Sequence, residues 1–249
     1  MVRHSLWKFS LRWCAALAAL AITATAHAAT VTWSAPTNIS GDSDVITTGT
    51  LVTARNFSQT QVTPTVNGVF FDIYPISNGA NAFFGITNVA TFGFSNLESS
   101  DTAYGSASAP YNSLSASYQT LLSSGAGSST GATLTLTLLN LTNGTPYLFQ
   151  WWSNDSGLAY GGVNSTTATA TNAVTLDENT TNAVGGMGQW AVGTFTASGT
   201  TQTISFSGAR PEINGFQLRI VPEPGAFALL ACGGLVVGGL ALVRRRQRA

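Results

Sequence analysis

Apolar and polar residues alternate through most of the middle of the chain. Ala132-Thr133-Leu134-Thr135-Leu136-Thr137-Leu138 sets Leu against Thr at every step. That two-residue period is the mark of a strand with one buried and one wet face. Val69, Phe71 and Ile73 share a face of a second run, and Tyr147, Phe149 and Trp151 a face of a third. Ile204 with Phe206, and Phe216 with Leu218 and Ile220, mark two more. Further strands are expected near 45–53, 83–94, 167–176 and 189–196. Only Ser113–Leu122 has a helical look. Asn67-Gly68, Asn78-Gly79, Asn143-Gly144 and Asn214-Gly215 are turn signals. The segment Asn140–Pro146 is expected to close a hairpin between the strands on either side. Ser99–Asn112 and the Ser/Gly-rich Ser123–Gly131 are expected to be loops.

Many short strands, each with one polar face, predict an all-β fold: an antiparallel β-sandwich of the jelly-roll kind over residues 29–220. No repeat of 20–50 residues is visible, which argues against a solenoid or propeller.

The two ends break the alternation. Residues 1–28 carry Arg3, Lys8 and Arg12, then an apolar run from Cys14 to Ile22, then Ala26-His27-Ala28. This is the layout of a secretory signal peptide, with Ala26 and Ala28 at the positions that signal peptidase reads. At the other end, Val221-Pro222-Glu223-Pro224-Gly225 precedes the uncharged run Ala226–Val243 and the tail Arg244-Arg245-Arg246-Gln247-Arg248. A helix from Gly225 to Val243 has a length of about 28 Å, close to the ~30 Å hydrocarbon core of a bilayer. A transmembrane helix over 226–243 is therefore expected. The arginines act as a stop-transfer tail on the cytoplasmic side. Both ends place the sandwich outside.

Charge follows the same division. Residues 29–221 hold three bases (Arg55, Arg210, Arg219) and nine acids, so three minus nine leaves a net of −6. A partner made of nucleic acid is excluded, because phosphate needs a basic footprint. The same stretch contains no His, Lys or Cys. That rules out a Ser-His-Asp triad, a cysteine nucleophile, a Schiff-base lysine and a His/Cys zinc site.

Pro222-Glu223-Pro224, a single apolar span and a short Arg-rich tail together resemble the PEP-CTERM sorting signal of Gram-negative bacteria. The resemblance covers residues 221–248. It implies handling by an exosortase, a membrane-embedded cysteine protease, after export by the secretory translocon and signal peptidase. It also implies residence at the inner membrane with the ectodomain in the periplasm, and then at the cell surface or outside the cell. The run Leu139–Leu158, together with Ile213-Asn214-Gly215-Phe216-Gln217-Leu218-Arg219, is similar to galactose-binding-like jelly rolls of exported PEP-CTERM proteins. That second resemblance implies fold more than activity.

The expected function is thus that of an exported, non-enzymatic cell-surface or matrix protein of the envelope, without a cofactor. An alternative is a carbohydrate-binding module acting on exopolysaccharide. Trp151 and Trp152 are adjacent and must face opposite sides of a strand. One belongs to the core, and Trp152 with Asn154 and Asp155 is the candidate glycan contact, with Trp33 and Trp190 as further aromatic candidates. Asp42 and Asp44 are a candidate calcium pair, since calcium takes oxygen ligands. A glycosidase, the third reading, needs a carboxylate pair drawn from Asp72, Asp155, Asp177, Glu178 and Glu212.

Overall fold

A computed structural model describes residues 29–60, 62–77, 79–86, 89–159 and 164–222. The signal peptide 1–28, Glu223 and Pro224 of the sorting motif, the expected span 226–243 and the arginine tail lie outside these residues. Among the described residues no helix is long and apolar enough to cross a membrane.

The chain is built almost wholly of strands. The first six are β1 (Thr32–Trp33), β2 (Thr37–Asn38), β3 (Thr50–Ser58), β4 (Thr65–Val66), β5 (Val69–Phe70) and β6 (Asp72–Pro75). Then come β7 (Gly79–Ile86), β8 (Ala90–Ser100), helix α1 (Ala116–Ser123), β9 (Gly125–Ser128) and β10 (Leu134–Leu138). The last seven are β11 (Pro146–Ser153), β12 (Ser165–Ala170), β13 (Asn172–Asp177), β14 (Gln189–Thr196), β15 (Gln202–Ser207), β16 (Glu212–Ile213) and β17 (Gly215–Ile220). One sheet runs β1-β14-β11-β17-β3-β6, with β2 also on β14. The other runs β13-β12-β15-β10-β8-β9-β16, with β7 also on β8. All pairs in the two sheets are antiparallel except β3 with β6.

The sheets form a β-sandwich around the alternating residues. Leu134, Leu136 and Leu138 of β10, with Ile204 and Phe206 of β15, meet Phe149 and Trp151 of β11 and Phe216 and Leu218 of β17 in one core. Trp151 stands edge-on to Phe206 at 5.0 Å, and Phe57 tilts against Phe92 at 4.9 Å. Thr135 and Thr137 keep partial contact with solvent on the far side.

The first sheet also has a cover on its outer face. Ser115 caps α1, its Oγ accepting the Tyr118 N–H at 3.1 Å. The spacing of Tyr118, Leu121 and Leu122 puts all three on one face of the helix. They bury there with Trp152, Ala54, Val45 and Phe71 as a second core. The β4–β5 hairpin helps to close it. Its Asn67-Gly68 turn has φ of 48° and 74°, as the sequence predicts for a two-residue turn with both central residues left-handed.

Several expectations shift. The strand expected at 45–53 starts at Thr50, because the carbonyls of 46–49 are taken by side chains of β17. Arg219 donates to the carbonyls of Thr47, Thr48 and Gly49, and Gln217 to that of Ile46. The region 83–94 is two strands, β7 and β8, and 167–176 is the β12–β13 hairpin. Asn140–Pro146 is not a hairpin loop. Both edges of β10 are occupied by β8 and β15, so the chain crosses to the other sheet before β11. Ser123–Gly131 is not all loop either: β9 pairs with β8 and β16. Its glycines let the Tyr104 ring at Gly125, and the Tyr104 hydroxyl at Gly127, lie within about 3 Å of where a Cβ would stand.

Candidate functional site

Three chain exits meet at one end of the sandwich: Asn154 and Asp155 after β11, Glu178 after β13, and Glu212 opening β16. Backbone bonds draw them together. The Asp155 N–H reaches the Glu178 carbonyl at 2.7 Å. Thr166 of β12 sits between the two glutamates. Its hydroxyl donates to Glu178 Oε1 at 2.8 Å and accepts the Glu212 N–H at 2.7 Å. Asn214 donates to Glu212 Oε1 at 2.8 Å, and its amide nitrogen also lies 3.0 Å from the carbonyls of Leu122 and Ser124. Asp155, Glu178 and Glu212 are all buried, at 1–2% exposure.

Burial governs the chemistry of the pair. It pushes the Glu178 carboxyl up from the usual 4.5 to about 8, against the Thr166 hydrogen bond, which favours the ionised form. It pushes the Glu212 carboxyl well above its ordinary range, with the charges of Glu178 and Asp155 adding to the rise. Both shifts favour the neutral acid over the carboxylate. A raised carboxyl in a cleft has the profile of a general acid, but this pair has no contact with solvent through which a sugar could approach. Of the carboxylates available to a glycosidase, Asp72 is engaged with Arg55 in an ion pair and Asp177 stands at the exposed end of β13. The Asp177 charge still reaches Glu178, the next residue along the chain.

The glycan candidates fare no better as a surface. Trp152 has 0% exposure, lies under α1, and donates from Nε1 to the Tyr118 hydroxyl at 2.9 Å. Asn154 is buried as well; it donates to the Tyr104 and Leu122 carbonyls and accepts the Gly188 N–H. The residues do come together, but as internal fasteners, because the outer face of β11 is covered rather than open. Trp33 and Trp190 are half-buried; Trp33 Nε1 donates to the Asn172 carbonyl at 3.0 Å.

Asp42 and Asp44 form the short turn ahead of β3. Asp44 accepts from Ser40 N and Oγ, Gly41 N and the Tyr118 hydroxyl. Asp42 accepts from Ser115 Oγ. Asp44 is thus committed to protein donors, and the pair is built as a turn clasp. Among the described residues no group of three or more His, Cys, Asp or Glu is placed to hold a metal ion.

An open cleft of about 490 Å³ lies beside α1, lined by Thr102, Ser106, Ala107, Tyr111, Gln119 and Thr120, among others. The sequence carries no signal for it, because its residues come from a stretch that reads as a loop and from a short helix.

No family model matches the chain, and no curated protein matches it. A solved structure described as "Structural basis for the promiscuous specificity of the carbohydrate-binding modules from the beta-sandwich super family" is similar at 12% identity, covering 76% of this chain and 97% of that one. Its TM-score is 0.15, a superposition too loose to carry an argument.

Proposed function

We propose that this is an exported, non-enzymatic protein of the cell surface or extracellular matrix, a jelly-roll sandwich displayed through a C-terminal Pro-Glu-Pro sorting signal. The observation that carries this reading is where the domain stops. β17 ends at Ile220, and the chain leaves it through Val221 and an exposed Pro222, the first residue of the motif. Proline biases the residue before it toward extended conformations, so Pro222 and Pro224 disfavour a helix across the motif itself. That suits a short accessible segment between domain and membrane, open to an exosortase-type protease. The secretory translocon and signal peptidase act earlier, at Ala26 and Ala28. Deleting residues 221–249 should release the sandwich into the medium. Unchanged retention in the envelope would sink the reading.

A second reading, polysaccharide binding, is favoured by the cleft beside α1, whose hydroxyl and amide lining is of a kind that sugars meet. Residues 29–220 on a glycan array should then give signals that Ala116→Arg, which fills the cleft, removes. Equal signals from both proteins, or none from either, would dismiss it.

A further inference from the structure

Among the described residues, six buried side-chain nitrogen or oxygen atoms lack a hydrogen-bond partner. Three belong to the buried acid site: Glu178 Oε2, Glu212 Oε2 and Asn214 Oδ1. With the carboxyls ionised all three can only accept hydrogen bonds, so the site is short of donors. A buried acceptor left without a donor is costly, and an unpaired buried charge more so. Like charges add to the cost. The charges acting on it are the carboxylates of Asp155, from the loop after β11, and Asp177, from β13, both of the same sign. Thr166 from β12 and Asn214 ahead of β17 contribute only neutral hydrogen bonds. Arg210 stands on the turn before β16.

We propose that Glu178 and Glu212 are carried as a protonated pair, and that loss of these protons in alkali is a switch that releases the 178–188 loop from the end of the sandwich. A carboxylic O–H supplies the missing donor. Ionisation takes it away and sets two like charges beside Asp155 in a dry site. The loop depends on this corner. The Glu178 carbonyl holds Asp155 N–H, Asn179 donates to the Asp155 carbonyl at 3.0 Å, and the Gly185 N–H reaches the Ser156 carbonyl at 2.8 Å. The Gly185 carbonyl in turn holds the N–H of Tyr111, which lines the cleft beside α1. Opening the loop therefore reshapes the cleft.

The folded chain keeps protons that the unfolded chain gives up near 4.5. Their contribution is full below that value and is lost as pH rises, through about 8 for Glu178 and beyond for Glu212. Across that window each retained proton makes the folding constant fall about tenfold per pH unit. The test is urea unfolding of the full chain from pH 5 to 10, with hydrogen exchange of residues 178–188 corrected for the intrinsic rate. The wild type should lose at least tenfold per pH unit between 5 and 8, with loop exchange rising above pH 8. Glu178→Gln with Glu212→Gln should flatten both profiles. Equal profiles overturn the proposal, and so does a wild-type stability that calcium raises and a chelator lowers, because a cation would then hold the oxygens. Should the double variant fail to fold, the infrared band of a protonated carboxylic acid in wild-type chain at neutral pH decides. Its presence, bleaching in alkali, supports the proposal, and its absence overturns it.

Discussion

The two sheets of the sandwich differ in what lies on their outer faces. Along β12, β15 and β10 the second sheet has one dry face and one that meets solvent. Along β10 the leucines are buried and the threonines half-exposed, and Thr137 and Thr203 meet across strands at 3.1 Å in solvent. The first sheet is dry on both faces at its centre. Every residue of β17 from Gly215 to Arg219 is buried, as is every residue of β11 from Tyr147 to Ser153. Its outer face has two parts, an apolar one under α1 and a polar one under residues 45–49. In the polar part Gln150, Gln217 and Arg219 stand in a row. Gln217 donates to Gln150 Oε1 at 2.6 Å, and Arg219 to Gln217 Oε1 at 3.1 Å. The difference shows that one alternation pattern serves two environments. The polar set is wet in one sheet and forms an internal hydrogen-bonded ladder in the other.

Four substitutions sharpen or break this contrast, each read by urea denaturation of the mature chain. Trp151→Ala opens the core between the sheets, and the loss should be largest, about 3–5 kcal/mol. Arg219→Met keeps bulk but leaves the carbonyls of 47–49 without a donor, and about 2–3 kcal/mol should go. If that variant costs nothing, the polar part of the face is wet and the contrast fails there. Trp152→Phe removes the Nε1 bond to Tyr118 and should cost about 1 kcal/mol beyond the volume change. The same exchange at Trp151 loses no hydrogen bond, because Trp151 Nε1 has no partner. Thr137→Val on the wet face should change stability by less than about 0.5 kcal/mol.

Strand identity was legible wherever alternation was clean. β10, β15 and β17 lie where the apolar residues recur, β14 spans the expected 189–196, and α1 falls within three residues of the expected helix. The cover of a strand was not legible, because a period of two says which residues share a face but not what packs on it. Trp152 is the plain instance: its neighbour Trp151 goes to the core as expected, and it goes to a second core supplied by residues 39–71 and α1. β9 was hidden for another reason. Gly125-Ala126-Gly127-Ser128 has no apolar rhythm, and the strand exists because its small residues fit against Tyr104. Of the candidate site, the sequence supplied the acids but not their meeting, since Asp155, Glu178 and Glu212 come from three separate strand ends.

The position of β17 carries one more consequence. The strand lies between β11 and β3 and is paired with each at six positions. A pull on the chain beyond Pro222 enters the fold along this strand. In antiparallel ladders the hydrogen bonds run across the strands, so the force loads both ladders in shear together instead of peeling one bond at a time. A domain tethered at this point would hang from a strand held along both edges and resist extraction by drag in the fluid around it.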